Sequence, residues 1–392
     1  MRAKTFVVLT FLLFSISSSQ AANQKVLYTF TGGVDGGQPY QAGVVLDAAG
    51  NLYGATQFGG TYNQGTVYQL TPSPGGAWTE TVLYSFAGIP DGEQPQGGLV
   101  IDAAGNLYGT TSNGGDPNSY CGTVFKLSPS GNDWSFSVLH TFTGPDGCSP
   151  QSDLTLFNDQ SILGTTAGGG CGSQGTAFTL STSGGGYFDW CFRGTNGEYP
   201  GGVNSWEFGT TFYGGKQQKG NVFSLSWSNH TKVAHTFSAT AKAGYWPMGN
   251  LAPQTGANGY WIMYGTTSWG GVGGRGTVYQ LAQRPTGSWA ISVLHSFAVS
   301  DGSSPGAGPI LDAAGNLYGT TQWGGPENAG TVFKLTPGAK NKWAQTVLYY
   351  FTGGPDGSVP TSSLMLDNAG NLYGTTNSGG AYNQGVVYEV TP

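Results

Sequence analysis

Short apolar runs alternate along this chain with clusters of Gly, Asn, Asp and Thr, and four of these runs recur in a fixed order. Asn-Leu-Tyr-Gly stands at Asn51–Gly54, Asn106–Gly109, Asn316–Gly319 and Asn371–Gly374, and weaker copies end on Gly164, Gly209 and Gly265. Six of the seven copies run on into Thr-Thr, and the first into Ala55-Thr56. Gly-Thr-Val-Tyr/Phe follows at Gly65–Tyr68, Gly122–Phe125, Gly276–Tyr279 and Gly330–Phe333, with variants at Gly175–Phe178, Gly220–Phe223 and Gly385–Tyr388. Val-Leu-Tyr/His-x-Phe comes next, at Val26–Phe30, Val82–Phe86, Val138–Phe142, Val293–Phe297 and Val347–Phe351. Trp190-Cys191-Phe192 and Ala234–Phe237 fill its two remaining slots. The fourth run precedes Asp-x-Ala-Gly-Asn and is clearest at Val44–Asn51, Leu99–Asn106, Ile310–Asn316 and Leu364–Asn371.

Runs of this length, rich in Val, Tyr, Phe and Thr and bounded by turn residues, predict β-strands. Several are apolar on both faces, as in Leu99-Val100-Ile101, so their sheets must be covered on both sides. No helical periodicity competes. The seven glycines recur about every 53 residues, a spacing within the range of propeller blades. Four strands per repeat and seven repeats predict an all-β, seven-bladed β-propeller with four-stranded blades. We label the strands A (before Asp-x-Ala-Gly-Asn), B (Asn-Leu-Tyr-Gly), C (Gly-Thr-Val-Tyr) and D (Val-Leu-Tyr-x-Phe). The chain begins with a D strand at Val26–Phe30 and ends with a C strand at Val386–Val390. Pairing these two closes the ring and removes two exposed sheet edges. Asp47, Asp102, Asp312 and Asp367 each start a hairpin in which Gly supplies the positive φ, and they read as turn residues, not as calcium ligands.

The run Gly98–Thr111 carries most fully a resemblance to the bacterial GloVer-type tandem repeat, a family of secreted proteins, and strands A and B are similar to those of NHL-type propellers. The resemblance spans 25–392 and implies a propeller-like repeat with no established activity, so no catalytic residue is implied. It also implies a tether at the C-terminus. This sequence stops at Pro392, directly after a C strand, and the expectation is free export.

Composition narrows the function. Charged residues are 9% and aromatic residues 13%, with 69 Gly and 20 Pro, which fits a folded chain dense in turns. The net charge of −6 and the 14 scattered Lys and Arg residues exclude the basic face of a nucleic-acid binder. Residues 1–21 read as a signal peptide: Arg2 and Lys4, an apolar stretch Phe6–Phe14, then Ser19-Gln20-Ala21 as the cleavage site. The stretch is shorter than the roughly 20 residues a membrane span requires. The mature chain, 22–392, is then one exported propeller domain, periplasmic or extracellular, expected as a monomer.

Four cysteines in an exported chain predict two disulfides. B–C and D–A loops share one face, the top, where Cys121 meets Cys148 and Cys171 meets Cys191. His140 and His295 replace the Tyr of strand D and read as structural. No nucleophile elbow, metal cluster or helix-borne phosphate loop is present in the sequence, so no catalytic residue, metal or cofactor is expected. Two top-face features remain. Asp35, Asp91, Asp146, Asp301 and Asp356, each followed by Gly, lie in D–A loops and are expected near the channel mouth, as plain turns or as a polar site. In the B–C loops, the residue after Thr-Thr-x is Phe58 in blade 1 and then Tyr213, Trp269 and Trp323 in blades 4, 5 and 6; Trp246, Tyr245 and Tyr199 come from neighbouring D–A loops. The expectation is a non-enzymatic binding propeller whose aromatic arc recognises carbohydrate or a cell-surface glycan. A carbohydrate-active lyase or hydrolase, and a protein-interaction scaffold, are the alternatives.

Overall fold

The structure, a computed structural model, describes residues 22–392 except 158–159, 227–229, 240–241 and 340–341. The signal peptide expected over 1–21 lies outside the described residues. Seven antiparallel sheets form the blades, and no α-helix occurs among the described residues. Blade 1 shows the plan: A is Val45–Leu46, B is Leu52–Thr56, C is Thr66–Pro72 and D is Trp78–Ser85. In blade 6, strand A is split into Ser303–Pro305 and Ile310–Leu311, both paired to strand B.

Closure follows the offset read in the sequence. Strand Asn23–Thr29 pairs antiparallel with Val386–Thr391, from Asn23 opposite Thr391 to Thr29 opposite Val386, and becomes strand D of blade 7.

The core is a set of layers between blades. One layer joins Leu27, Phe30 and Val387 of blade 7 to Val44, Tyr68 and Leu70 of blade 1. Each layer is keyed by an edge-to-face aromatic pair, in which the Phe ending one blade's strand D meets the aromatic residue of the next blade's strand C. Phe30–Tyr68, Phe86–Phe125, Phe142–Phe178, Phe192–Phe223, Phe237–Tyr279, Phe297–Phe333 and Phe351–Tyr388 all lie 4.9–5.3 Å apart between centroids. The tip of the strand C ring sits against the glycine of Asn-Leu-Tyr-Gly. A Cβ on Gly109 would stand 2.5 Å from the Phe125 ring, and one on Gly54 2.3 Å from the Tyr68 hydroxyl. The repeated glycine is therefore a seat for a ring, and any side chain there would evict it.

Thr-Thr has two separate duties. The second Thr is buried and seals its own B–C loop: Thr211 Oγ1 donates to Tyr213 O at 2.9 Å, and Thr321 Oγ1 to Trp323 O at 2.9 Å. The first ties strand B to strand A of the next blade, as in Thr165 to Pro200 O (3.1 Å), Thr266 to Ala307 O (2.8 Å) and, across the closure, Thr375 to Ala42 O (3.0 Å). The A–B turns are held by their aspartates. Asp47 accepts from the Ala49 and Asn51 amides, the Asn51 side chain and the Tyr53 hydroxyl at 2.8–3.0 Å. Burial alone would raise its pKa, but these hydrogen bonds outweigh burial and hold it below the usual carboxylate value. Asp102, Asp312 and Asp367 repeat the arrangement, so all four are turn residues.

Candidate binding site at the channel mouth

Every D–A loop contains an X-Pro step whose X residue is left-handed: Gln38, Gln94, Ser149, Tyr199, Trp246, Ser304 and Val359, with φ between 52° and 59°. Its amide hydrogen-bonds the preceding blade's B–C loop, as Tyr199 does to Gln174 O (3.1 Å) and Trp246 to Lys219 O (2.9 Å). This conformation turns one side chain per blade onto the top face. Only blades 4 and 5 place an aromatic residue there. The same two blades also carry aromatics after Thr-Thr, at the ends of long paired inner strands: Glu198–Val203 pairs with Phe208–Tyr213, and Tyr245–Thr255 with Trp261–Trp269.

Rings from both blades meet as one cluster. Trp246 stacks on Phe212 (5.5 Å, 19°) and meets Tyr213, Tyr245 and Trp269 edge-on at 6.0, 5.0 and 6.1 Å. Tyr199 meets Tyr213 at 5.8 Å. Lys219 places its ammonium 4.6 Å from the Trp246 ring and 4.3 Å from Tyr245. Trp246, expected to offer a face to ligand, is therefore the filled centre of the cluster, covered by Phe212 and by Lys219. The faces left open belong to Tyr199 (53% exposed), Trp269 (47%) and Tyr213 (36%).

Trp323 is also half-exposed but has no ring partner among the described residues, and Phe58 stands alone on blade 1. The structure thus brings together Tyr213, Trp246 and Trp269 and leaves Trp323 and Phe58 outside. Sequence reading missed Phe212 and Lys219. Phe212 had a signal: it is the single aromatic among the residues that directly follow Thr-Thr, where the other blades have Gln57, Ser112, Ala167, Ser268, Gln322 and Asn377.

Beside the cluster the axial channel opens into a cavity of about 160 Å³, lined among others by Tyr199, Phe212, Pro247, Gln41, Thr361 and Asp153. A wider cavity of about 490 Å³ opens from the opposite end, and Asp153 and Ser363 border both. The narrowing between them is a ring of one strand A residue per blade: Gly43, Gly98, Asp153, Gly202, Asn250, Gly308 and Ser363. Asp153 accepts from the Gly98 amide (2.7 Å) and from the Ser363 hydroxyl of blade 7 (2.9 Å), a bond that crosses the axis. Burial raises the pKa of Asp153 above the usual carboxylate value, and these two hydrogen bonds only partly offset it.

Of the two readings of the Asp-Gly aspartates, the hydrogen bonds fit plain turns. None borders the upper cavity. Each carboxylate folds back on the strand D before it, accepting from a loop amide and from the strand's Tyr or His. Asp35 binds Tyr28 (3.1 Å), Asp91 Tyr84 (2.8 Å), Asp146 His140 (2.9 Å), Asp301 His295 (2.9 Å) and Asp356 Tyr349 (2.9 Å). His140 and His295 therefore fill the role of the tyrosines they replace.

The first expected disulfide, Cys121–Cys148, is formed and staples the B–C loop of blade 2 to the loop entering blade 3. The second is not: Cys171 and Cys191 are thiols. The Cys171 amide donates to Cys191 Sγ at 3.0 Å, while Arg193 Nε donates to Cys171 Sγ at 3.2 Å and holds that sulfur in a hydrogen bond of its own. Burial opposes ionisation of Cys171, but hydrogen bonds from Cys191 and Arg193 and the Arg193 charge bring its pKa below the ordinary thiol value; burial pushes Cys191 up to about 11.

Seven repeats closed by an N-terminal strand, with an aromatic cluster and an axial cavity on the top face, define a seven-bladed β-propeller of tandem-repeat construction. The chain belongs to the Gloeobacter/Verrucomicrobia repeat family, whose model matches residues 12–207 and 262–392. No curated protein matches the sequence. Among solved structures, a Thermus thermophilus protein assigned as an oxidoreductase (glucose dehydrogenase) is similar at 12% identity and a TM-score of 0.46, covering 94% of this chain and 100% of that one. A Xanthomonas campestris gluconolactonase is similar at 13% identity and a TM-score of 0.46, covering 94% of this chain and 89% of that one. At this distance neither bears on what the chain binds. Among the described residues no helix is long and apolar enough to cross a membrane.

Proposed function

We propose that this protein is an exported, monomeric binding propeller that takes a carbohydrate chain on the top face of blades 4 and 5. One observation carries the reading: the half-exposed rings of Tyr199, Tyr213 and Trp269 are held around the filled centre Trp246 at the rim of the axial cavity. Open aromatic faces suit the C–H faces of pyranose rings, while Tyr and Trp also present a polar edge. Polar groups such as Gln41 and Thr361 at the cavity supply direction. The cluster arises largely from 208–261, the segment between the two family matches.

Binding is favoured over hydrolysis because, among the described residues, the upper cavity presents one carboxylate, Asp153, whereas glycoside hydrolysis ordinarily employs two. Affinity is expected in the micromolar to millimolar range, about −8 to −4 kcal/mol. A glycan array followed by calorimetry on the best hits tests the reading. Trp269→Ala with Tyr199→Ala should abolish binding and leave Tm nearly unchanged, and Trp323→Ala should bind as the parent does. Loss of binding in Trp323→Ala alone, or a collapse of Tm in the double variant, would refute the site.

A further inference from the structure

Asp153 stands out within the ring that narrows the channel. Four of the seven positions are glycine, and two others, Asn250 and Ser363, are neutral. A carboxylate is not needed for the bonds it makes, because an amide oxygen would accept from the Gly98 N–H and the Ser363 hydroxyl equally well. Placing a charge in the axis of a protein costs free energy unless it is paired, and no basic side chain borders the upper cavity among the described residues. An ionised carboxylate offers about four lone-pair sites, and two are taken. Although protein surrounds Asp153, its side chain still reaches the channel lumen from both cavities. The same cavity is also lined by the Tyr199 and Phe212 rings of the neighbouring blade. A carboxylate with spare acceptor sites in a cavity that also holds aromatic rings is an environment that attracts an organic cation.

We infer that the upper axial cavity is the subsite for an ammonium group of the ligand, so that the recognised glycan carries a free amine. This rests on the glycan reading above and narrows it. A sugar ring lies on Tyr199 and Trp269 and its amine enters the cavity, donating to Asp153. The cavity of about 160 Å³ suits one head group, being small against the roughly 300–1,000 Å³ of sites that enclose a drug-sized ligand. A lone carboxylate is a poor calcium site, since calcium takes about six to eight oxygen ligands with several carboxylates among them.

The experiment compares a β-1,4-glucosamine tetramer with its fully N-acetylated counterpart by calorimetry at mildly acidic pH, on the mature chain and on Asp153→Asn, Trp269→Ala and Trp323→Ala. The parent should bind the free-amine tetramer about tenfold or more tightly than the acetylated one. Asp153→Asn should erase that preference while retaining Trp269-dependent binding of the acetylated tetramer, and its melting temperature should equal or exceed the parent's, which shows that the ring is intact. Equal binding of both tetramers, lost in Trp269→Ala, would overturn the amine subsite and leave the glycan reading standing. Binding of neither tetramer would overturn both. Asp153-dependent binding of Ca²⁺ alone, with no preference for the amine, would assign the carboxylate to a metal and overturn the inference.

Discussion

Ring closure rests on a strand at the opposite end of the sequence from its partner, and Phe30 is where that closure can be weighed. Its side chain is fully buried, lies 5.1 Å from Tyr68 at 66°, and joins blade 7 to blade 1. Truncation to Ala removes a whole ring from a close-packed layer and should cost about 3–5 kcal/mol. For a chain of this length, roughly 2.1 cal/mol/K per residue gives an unfolding entropy near 0.8 kcal/mol/K, so a loss of about 4 kcal/mol lowers Tm by about 5 °C. Phe297 supplies the control. It is equally buried and 5.1 Å from Phe333 at 62°, but joins blades that are continuous in the chain. Urea unfolding followed by tryptophan fluorescence, with thermal melts by circular dichroism, should show Phe30→Ala and Phe297→Ala losing comparable stability at an unchanged m-value. If Phe297→Ala falls as expected and Phe30→Ala melts like the parent, strand Asn23–Thr29 is not part of the cooperative fold and the closure is wrong.

Three further outcomes are expected. The hydroxyls of Tyr68, Tyr279 and Tyr388 are buried with no hydrogen-bond partner among the described residues, where four other blades have Phe; changing all three to Phe should stabilise the ring by about 1 kcal/mol each, nearly additively, read by urea unfolding. Burial and the Asp35 carboxylate hold Glu80 up to about 7 from its ordinary 4.5. The folded chain therefore keeps a proton that the unfolded chain releases, so the Glu80 contribution is fully present below the lower value and is lost as pH rises through about 7. Glu80→Gln should shrink the fall in Tm between mildly acidic and mildly alkaline buffer, and an identical fall would count against the assignment. Iodoacetamide should label Cys171 before Cys191, and Arg193→Ala should slow that labelling; mass mapping that finds Cys191 modified first would contradict the thiol geometry.

The ring was legible because its signals are local and repeated: strand runs, Asp-Ala-Ala-Gly-Asn turns and an unmatched strand at each end. The reason for the repeated glycine was not, since the ring that fills its place comes from strand C and is seen only when strands pair. The site was half legible. Tyr213 and Trp269 share one repeat position and could be aligned by eye. Trp246 looked like a platform because nothing in a linear sequence shows Phe212 and Lys219 converging on its ring. Asp153 was invisible for a different reason. Blade 3 lacks the full Asp-x-Ala-Gly-Asn signature, so its strand A could be aligned with the six others only through its pairing with strand B. The Asp-Gly aspartates were open to two readings because a loop address says which face a residue is on, but not whether its carboxylate turns inward or back to the strand it left.

The closing strand also sets an order of events in the life of the molecule. The first strand of the propeller has its partner at Val386–Thr391, the last strand of the propeller in chain order. At about 5–20 residues per second, the first strand waits roughly 20–70 s for that partner. During that time blades 1 to 6 can assemble on one another, but blade 7 cannot, and both ends of the unfinished arc present unpaired backbone to every neighbouring chain. Completion depends on the longest-range contact in the fold, the kind formed late because its loop entropy must be met first. A polypeptide cut short anywhere before Val386 is therefore left as an open arc, a natural target for chaperones and proteases.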